Sequence, residues 1–185
     1  MADDIPKVTK NILPDQKLDC VAYGCTSGTI AAGFESIYKK VNLAKPNTKV
    51  TTPITSAINA VKSLKIKKLS IFTPYTDEIN QSVINYFRKE SIKISELSYF
   101  DIASDLDIGK VDPEHVFDTL KKIDLTNSDA LFVSCTALPV LSVISELEKK
   151  INKIVLSSNQ TLIWDTLNAI NYNKKVEGYG ELFNN

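Results

Sequence analysis

The sequence predicts an α/β fold built on parallel sheet. Two observations carry that reading along the 185 residues. Short β-rich apolar runs alternate with amphipathic stretches, and most of the runs end in a small polar turn that leads into a helical pattern. A third observation is an internal echo. Asp19-Cys-Val-Ala-Tyr-Gly-Cys25-Thr-Ser matches Asp129-Ala-Leu-Phe-Val-Ser-Cys135-Thr-Ala, so each copy has Asp, an apolar strand, a small residue and then Cys-Thr-small at the turn. Two copies with Asp and Cys at one offset point to a pseudo-twofold duplication.

In order, the first strand is Asp19 to Tyr23. It runs through Gly24-Cys25-Thr26-Ser27-Gly28 into one helix carrying Ile30, Phe34, Ile37, Tyr38 and Val41 at helical spacing. Val50 to Thr52 forms a short strand, and Pro53 opens a helix with Ile54, Ala57, Ile58 and Val61. Lys68 to Phe72 is a strand ending in Thr73-Pro74-Tyr75-Thr76, followed by a helix with Ile79, Val83, Ile84 and Phe87. Ile92 to Leu97 is a strand. Tyr99 to Val111 carries no readable period. Asp112-Pro113 starts a helix whose Val116, Phe117, Leu120 and Ile123 face inward. Asp129 to Val133 is a strand ending in Ser134-Cys135-Thr136-Ala137, then a helix with Leu141, Ile144 and Leu147. Lys153 to Leu156 is a strand ending in Ser157-Ser158-Asn159, then a helix through Trp164 and Leu167. The last dozen residues are polar and read as a loop or tail.

Composition narrows the function. A hydrophobic fraction of 43% suits a globular core, in one generous domain or two small lobes. Basic and acidic residues balance at 22 each and are interspersed, so there is no footprint for nucleic acid or anionic lipid. No apolar stretch is long enough for a membrane span. Met1 to Pro14 is polar and lacks the apolar core of a secretory signal, so a cytoplasmic location is expected. Three cysteines without a signal do not make a disulfide framework.

The chemistry follows from where the cysteines fall. Ligands of open α/β sheets sit beyond the carboxyl ends of the strands. Both Cys-Thr-small turns lie there, with Thr73-Pro74-Tyr75 and Ser157-Ser158-Asn159. Each cysteine is expected at a helix N-terminus, where unpaired N–H groups and the helix dipole favour the thiolate. The same N–H groups, with the hydroxyls of Thr26, Ser27 and Thr136, would hold a carboxylate. Two opposed thiols beside carboxylate pockets suit chemistry at a carbon next to a carboxyl group. One thiolate can remove a proton while the other thiol delivers one to the opposite face, or one thiolate can add to an activated double bond, allow rotation and leave. A lone histidine, His115, in mid-helix gives poor support to a Cys–His hydrolase, and no Cys-x-x-Cys or His cluster marks a zinc site.

Each residue also has a plainer reading. A lone strand-end cysteine is usually an inert core residue; the matched pair, each followed by Thr, outweighs that for Cys25 and Cys135. Cys20 reads as core, Tyr75 as part of a capped turn, Asn159 as a helix cap, His115 as surface and Trp164 as core.

As an ordered set, Tyr23-Gly-Cys25-Thr-Ser-Gly-Thr29 with Gly33, Thr51-Thr-Pro-Ile-Thr-Ser-Ala57, Phe72-Thr-Pro-Tyr75, Ser134-Cys135-Thr-Ala137 and Ser157-Ser-Asn159-Gln with Trp164 resemble the maleate isomerase and arylmalonate decarboxylase branch of the aspartate/glutamate racemase superfamily. The resemblance runs from about Leu18 to about Ala169. It implies two pseudo-symmetric flavodoxin-like lobes with parallel sheets, the active site between them, and neither metal nor cofactor. Residues 1–66 with 160–185 would form the first lobe and 67–159 the second. By the same resemblance Cys25 is the nucleophile that adds to the alkene and Cys135 the acid/base thiol. Thr26, Ser27, Tyr75, Thr136, Ala137 and Asn159 would contact substrate carboxylates. The implied partner is a small dicarboxylate or an amino diacid; oligomeric state, a homo-oligomer included, is left open.

Arylmalonate decarboxylases resemble this branch but keep only the second thiol, which places a decarboxylase below an isomerase or racemase here. Family members begin with a strand, a loop and a helix before the first cysteine turn. Met1 to Lys17 show no such pattern, so the chain is expected to be N-terminally short. The competing class is a non-catalytic carboxylate-binding relative; a nucleotide binder would need a Gly-rich phosphate loop that the first strand lacks.

Overall fold

The structure is a computed structural model and describes residues 2–184. Met1 and Asn185, the ends of the polar leader and of the tail, lie outside the described residues. In chain order the elements are α1 (Ile5–Asn11), β1 (Cys20–Ala22), α2 (Thr26–Ala32), α3 (Phe34–Ala44), β2 (Lys49–Thr51), α4 (Pro53–Ser63), β3 (Lys68–Thr73), α5 (Asp77–Lys89), β4 (Lys93–Tyr99), α6 (Asp105–Ile108), α7 (Pro113–Leu120), β5 (Ala130–Val133), α8 (Ile144–Ile151), β6 (Ile154–Ser157) and α9 (Ser158–Ala169).

All strand pairs are parallel. Four strands form a sheet in the order β4-β3-β5-β6, and β1 pairs with β2 in a second, two-stranded sheet. The chain leaves β3 toward β4 on one side and returns to β5 on the other. The carboxyl ends of β3 and β5 therefore flank a topological switch point, the place where such sheets open a crevice. β5 is buried along its whole length and β3 is buried after Lys68, so both read as continuous apolar runs rather than alternating ones. Phe132 of β5 packs edge-on against Phe87 of α5, with ring centroids 5.2 Å apart. The main core spans the larger sheet and its helices; a smaller cluster of Ile5, Ile37, Val41 and Val50 lies under α1 and α3.

Helix caps follow the local sequence. Pro53 and Pro113 stand in the first turns of α4 and α7, and the Asp112 side chain accepts the Glu114 N–H at 2.9 Å. Ser157 and Gln160 form a reciprocal capping box that starts α9 tightly at the end of β6.

Six expectations change. The single helix after the first cysteine turn is two, because Gly33 takes φ 78°, a left-handed backbone open to glycine, and breaks α2 from α3. The helix expected directly after the second cysteine turn starts only at Ile144, after a 3₁₀ turn over Leu141–Val143. Pro139 disfavours helical backbone at Leu138, which keeps that segment open. The leader contains α1, with Ile5 and Thr9 buried against α3. The C-terminal tail closes with a 3₁₀ turn over Glu181–Asn184 and buries Leu182, held by Glu148 accepting the Glu181 N–H at 2.9 Å. Cys20, expected in the core, is only half-buried because β1 is covered on one side. Trp164 is likewise partly buried at the margin of the core. His115 is exposed, as expected, and stacks on Phe100.

Candidate active site

The two cysteine turns meet. A cavity of about 340 Å³ is lined by Cys25 with Gly24, Thr26 and Ser27 from the first turn, Cys135 with Thr136 and Ala137 from the second, Tyr75 from the end of β3, and also Tyr23 and Asp105. Of the eight residues that sequence reasoning placed at a site, seven line this one space. The eighth, Asn159, stands in the first turn of α9 and donates its amide to the Thr136 carbonyl at 2.9 Å, so it supports the second turn instead of lining the cavity.

Cys25 is the N-cap of α2. The Gly28 N–H donates to its sulfur at 3.2 Å, and Thr29 donates both N–H and hydroxyl to its carbonyl. One of the helix's otherwise unpaired N–H groups is thus spent on the thiol. Glycine at 28 leaves room for both side chains: a Cβ would sit 2.8 Å from the Cys25 sulfur and 2.8 Å from the Tyr23 hydroxyl, and these would have to shift. Burial, and the Cys25 charge next to it, raise the Tyr23 phenol above its ordinary pKa.

Cys135 is built differently, and here the expectation of a helix dipole fails: no helix starts at it, the next one opening only at Ile144. It holds φ 81°, a strained backbone for a residue with a side chain, worth on the order of 1–3 kcal/mol. The turn so formed aims the Ala137 N–H at the sulfur from 3.4 Å. Burial is the largest influence on the thiol and raises its pKa. The Tyr75 hydroxyl and the Ala137 and Leu138 N–H groups pull the other way without cancelling it, and Asp105 adds to the rise. The thiol therefore holds its proton at neutral pH. Tyr75 is itself buried, and burial followed by the neighbouring Cys135 drives its phenol far above the ordinary range.

Hydroxyls that looked free in the sequence are structural. Thr136 donates to the Gly24 carbonyl at 2.8 Å, and Thr26 donates to Ser158 at 3.0 Å. The first ties the two cysteine turns together; the second ties the first turn to the start of α9. Ser27 lies 3.9 Å from the Cys25 sulfur. Behind Tyr75, the fully buried Asn80 receives the Thr73 hydroxyl and donates to the Tyr75 carbonyl at 3.2 Å, while the Tyr75 N–H bonds Thr73 at 3.2 Å.

Sequence reasoning missed Tyr23 as a lining residue, Asn80 and Asp105. Tyr23 was visible as the penultimate residue before Cys25. Asp105 follows Ser104, whose side chain caps α6 by accepting the Asp107 N–H at 3.4 Å; a Ser three residues before an acid was the available signal. Asn80 had none, since a polar residue in an amphipathic helix reads as solvated. Among the described residues, no group of three or more His, Cys, Asp or Glu is arranged to hold a metal ion. Among the same residues, no helix is long and apolar enough to cross a membrane.

The chain is similar to known proteins. The chain is 26% identical over 178 residues to the maleate isomerase of Geobacillus stearothermophilus, covering 92% of this chain and 71% of that protein. It is 26% identical over 136 residues to the arylmalonate decarboxylase of Bordetella bronchiseptica, covering 72% and 57%. Its fold matches the crystal structure of a Pseudomonas putida maleate isomerase variant with maleate, with a TM-score of 0.89 at 21% identity over 98% of this chain and 75% of the other. It matches equally well a Nocardia farcinica maleate cis-trans isomerase variant with a covalently bound succinylcysteine intermediate, at 0.89 and 19% identity over 99% and 78%. The family description arylmalonate decarboxylase matches residues 30–183, most of the chain. The chain belongs to the arylmalonate decarboxylase family, within the aspartate/glutamate racemase superfamily.

Proposed function

We propose that this protein is a cofactor-independent isomerase that uses Cys25 and Cys135 on a small diacid or diacid derivative, in the manner of a maleate cis–trans isomerase. One observation carries the reading: two free thiols, from the matched turns, line a single cavity, and their environments differ. Cys25 stands half-buried at a helix start, with the Gly28 N–H donated to its sulfur. Cys135 is buried and keeps its proton. That asymmetry suits a nucleophile and an acid.

In the proposed step, the Cys25 thiolate adds to one alkene carbon of maleate, forming a C–S bond. The π electron pair moves to the neighbouring carbon, which takes the Cys135 proton and leaves Cys135 as thiolate. Rotation about the new single bond follows. Cys135 then takes a proton back from that carbon, the C–S bond breaks with its electron pair returning to sulfur, and the trans alkene leaves with the Cys25 thiolate and the Cys135 thiol restored. Tyr75 steadies the transient Cys135 thiolate by donating its hydroxyl, which burial keeps protonated. The N–H groups of the two turns hold a substrate carboxylate, and Thr136 and Asn159 keep those turns in place. The lobes we assign, residues 1–66 with 160–185 and residues 67–159, put the cavity between them; packing of α9 on β1, β2 and α4 supports the grouping of the C-terminal helix with the first lobe.

Proton NMR in deuterated buffer tests the reading, with maleate, aspartate, glutamate and an arylmalonate as separate substrates. Conversion of maleate to fumarate, lost in Cys25→Ala, is the expected result. Deuterium entering the α-carbon of an amino diacid would move the protein to the racemases. Unchanged spectra throughout would leave a carboxylate-binding relative without catalysis.

A further inference from the structure

The charges around the site are all of one sign. A groove of about 500 Å³ joins the cavity at Cys25 and Ser27, and Asp105 lines both spaces. Glu78, in the first turn of α5, lines the groove as well. Among the described residues no Lys, Arg or His lines either space. A dianionic substrate would thus find neutral donors at the cysteine turns and a carboxylate on the remaining wall.

Asp105 is exposed, and its backbone is held in place by its element. Ser104 caps α6, the Gly109 N–H bonds the Asp105 carbonyl at 3.1 Å, and the Ile102 N–H bonds the Pro74 carbonyl at 2.8 Å, so the segment tracks the loop that carries Tyr75. The carboxylate is close enough for its charge to bear on the Cys135 thiol. A carboxylate in a cleft accepts hydrogen bonds and repels a second anion. The complementary ligand end is a donor.

We propose that Asp105 selects substrates carrying one carboxylate and, at the other end, a hydrogen-bond donor (a carboxamide or an ammonium) over the dianionic diacid. The proposal rests on the reading that this cavity takes a small diacid derivative, and it names which derivative. The carboxylate sits at the cysteine turns; the donor end faces Asp105.

Saturated, unreactive probes test binding apart from turnover. Dissociation constants for succinate, succinamate and β-alanine are measured by calorimetry on the wild type, Asp105→Asn and Asp105→Glu. The wild type is expected to bind succinamate or β-alanine about tenfold or more tightly than succinate, a gap of about 1.4 kcal/mol. Asp105→Glu keeps the order, while Asp105→Asn brings succinate level with or ahead of the others. Which probe wins separates amide from ammonium. Equal binding of succinate in the wild type, an unchanged ratio in Asp105→Asn, or no binding of any probe to any of the proteins overturns the proposal. A shifted ratio with no isomerisation of maleate or its monoamide would sink the isomerase reading alone. Maleate turnover with a ratio indifferent to Asp105→Asn would sink this one alone.

Discussion

The Thr136 hydroxyl donates to the Gly24 carbonyl at 2.8 Å, a bond between residues 112 positions apart that joins the two cysteine turns directly. Each partner neighbours a thiol, so this bond fixes how Cys25 and Cys135 face one another. Thr136→Val keeps the shape and removes the donor. Its stability cost is about 1 kcal/mol, the net worth of one hydrogen bond. Its catalytic cost is larger, about 10- to 100-fold in kcat/KM, because a two-thiol step is sensitive to misplacement on the ångström scale. Maleate kinetics beside urea denaturation check the split; equal activity in the variant would mean that the turns hold their places without this bond.

Gly28→Ala separates site from scaffold. Alanine favours a helix over glycine by roughly 0.5–1 kcal/mol, so the variant folds. The new Cβ, however, would lie 2.8 Å from both the Cys25 sulfur and the Tyr23 hydroxyl, and these side chains have to move. Isomerase activity is expected to fall at least about tenfold for a displaced nucleophile, with the melting temperature little changed. Mass-spectrometric labelling with iodoacetamide should show an altered rate at Cys25 and the wild-type rate at Cys135.

Asn80 is the buried clamp behind Tyr75. Asn80→Ala strands the Thr73 hydroxyl and the Tyr75 carbonyl, and one buried unpaired group costs about 1–3 kcal/mol. Loss of stability in that range is expected. With Tyr75 no longer held against it, Cys135 should also be alkylated faster under native conditions. A destabilised protein with unchanged Cys135 labelling would confine Asn80 to the fold.

What the sequence disclosed divides along physical lines. Elements specified by short-range chemistry were readable: the apolar runs of β3 and β5, Pro53 as a helix opener, and Asp112-Pro113 as a helix start. The echo around Cys25 and Cys135 located most of the cavity, because strand ends in a parallel sheet converge. The two turns nonetheless differ. Only the first enters a helix, and Pro139 was the overlooked sign that the second cannot. Asp105 was hidden because a four-residue helix has too few positions to show a period. Asn80 was hidden because its burial is decided by Thr73 and Tyr75, partners brought to it by the strand end and not by helical spacing.

The buried thiol makes a prediction about alkaline pH. Burial raises Cys135 above its ordinary value of 9.0, so the folded chain keeps that proton after the unfolded chain has lost it. The resulting stabilisation is complete below about pH 9 and is lost as pH rises from there through the folded value, at up to about 1.4 kcal/mol per pH unit for one proton. Tyr75 and Cys20 are raised by burial too and bend the curve the same way, so the wild type should lose stability steadily above pH 9. Cys135→Ala removes one contributor and should show a shallower decline between pH 9 and the onset of unfolding. Urea midpoints measured from pH 7 upward for both proteins decide it. Parallel curves would place the Cys135 proton in the same environment folded and unfolded, and would remove the basis for treating this thiol as the acid of the pair.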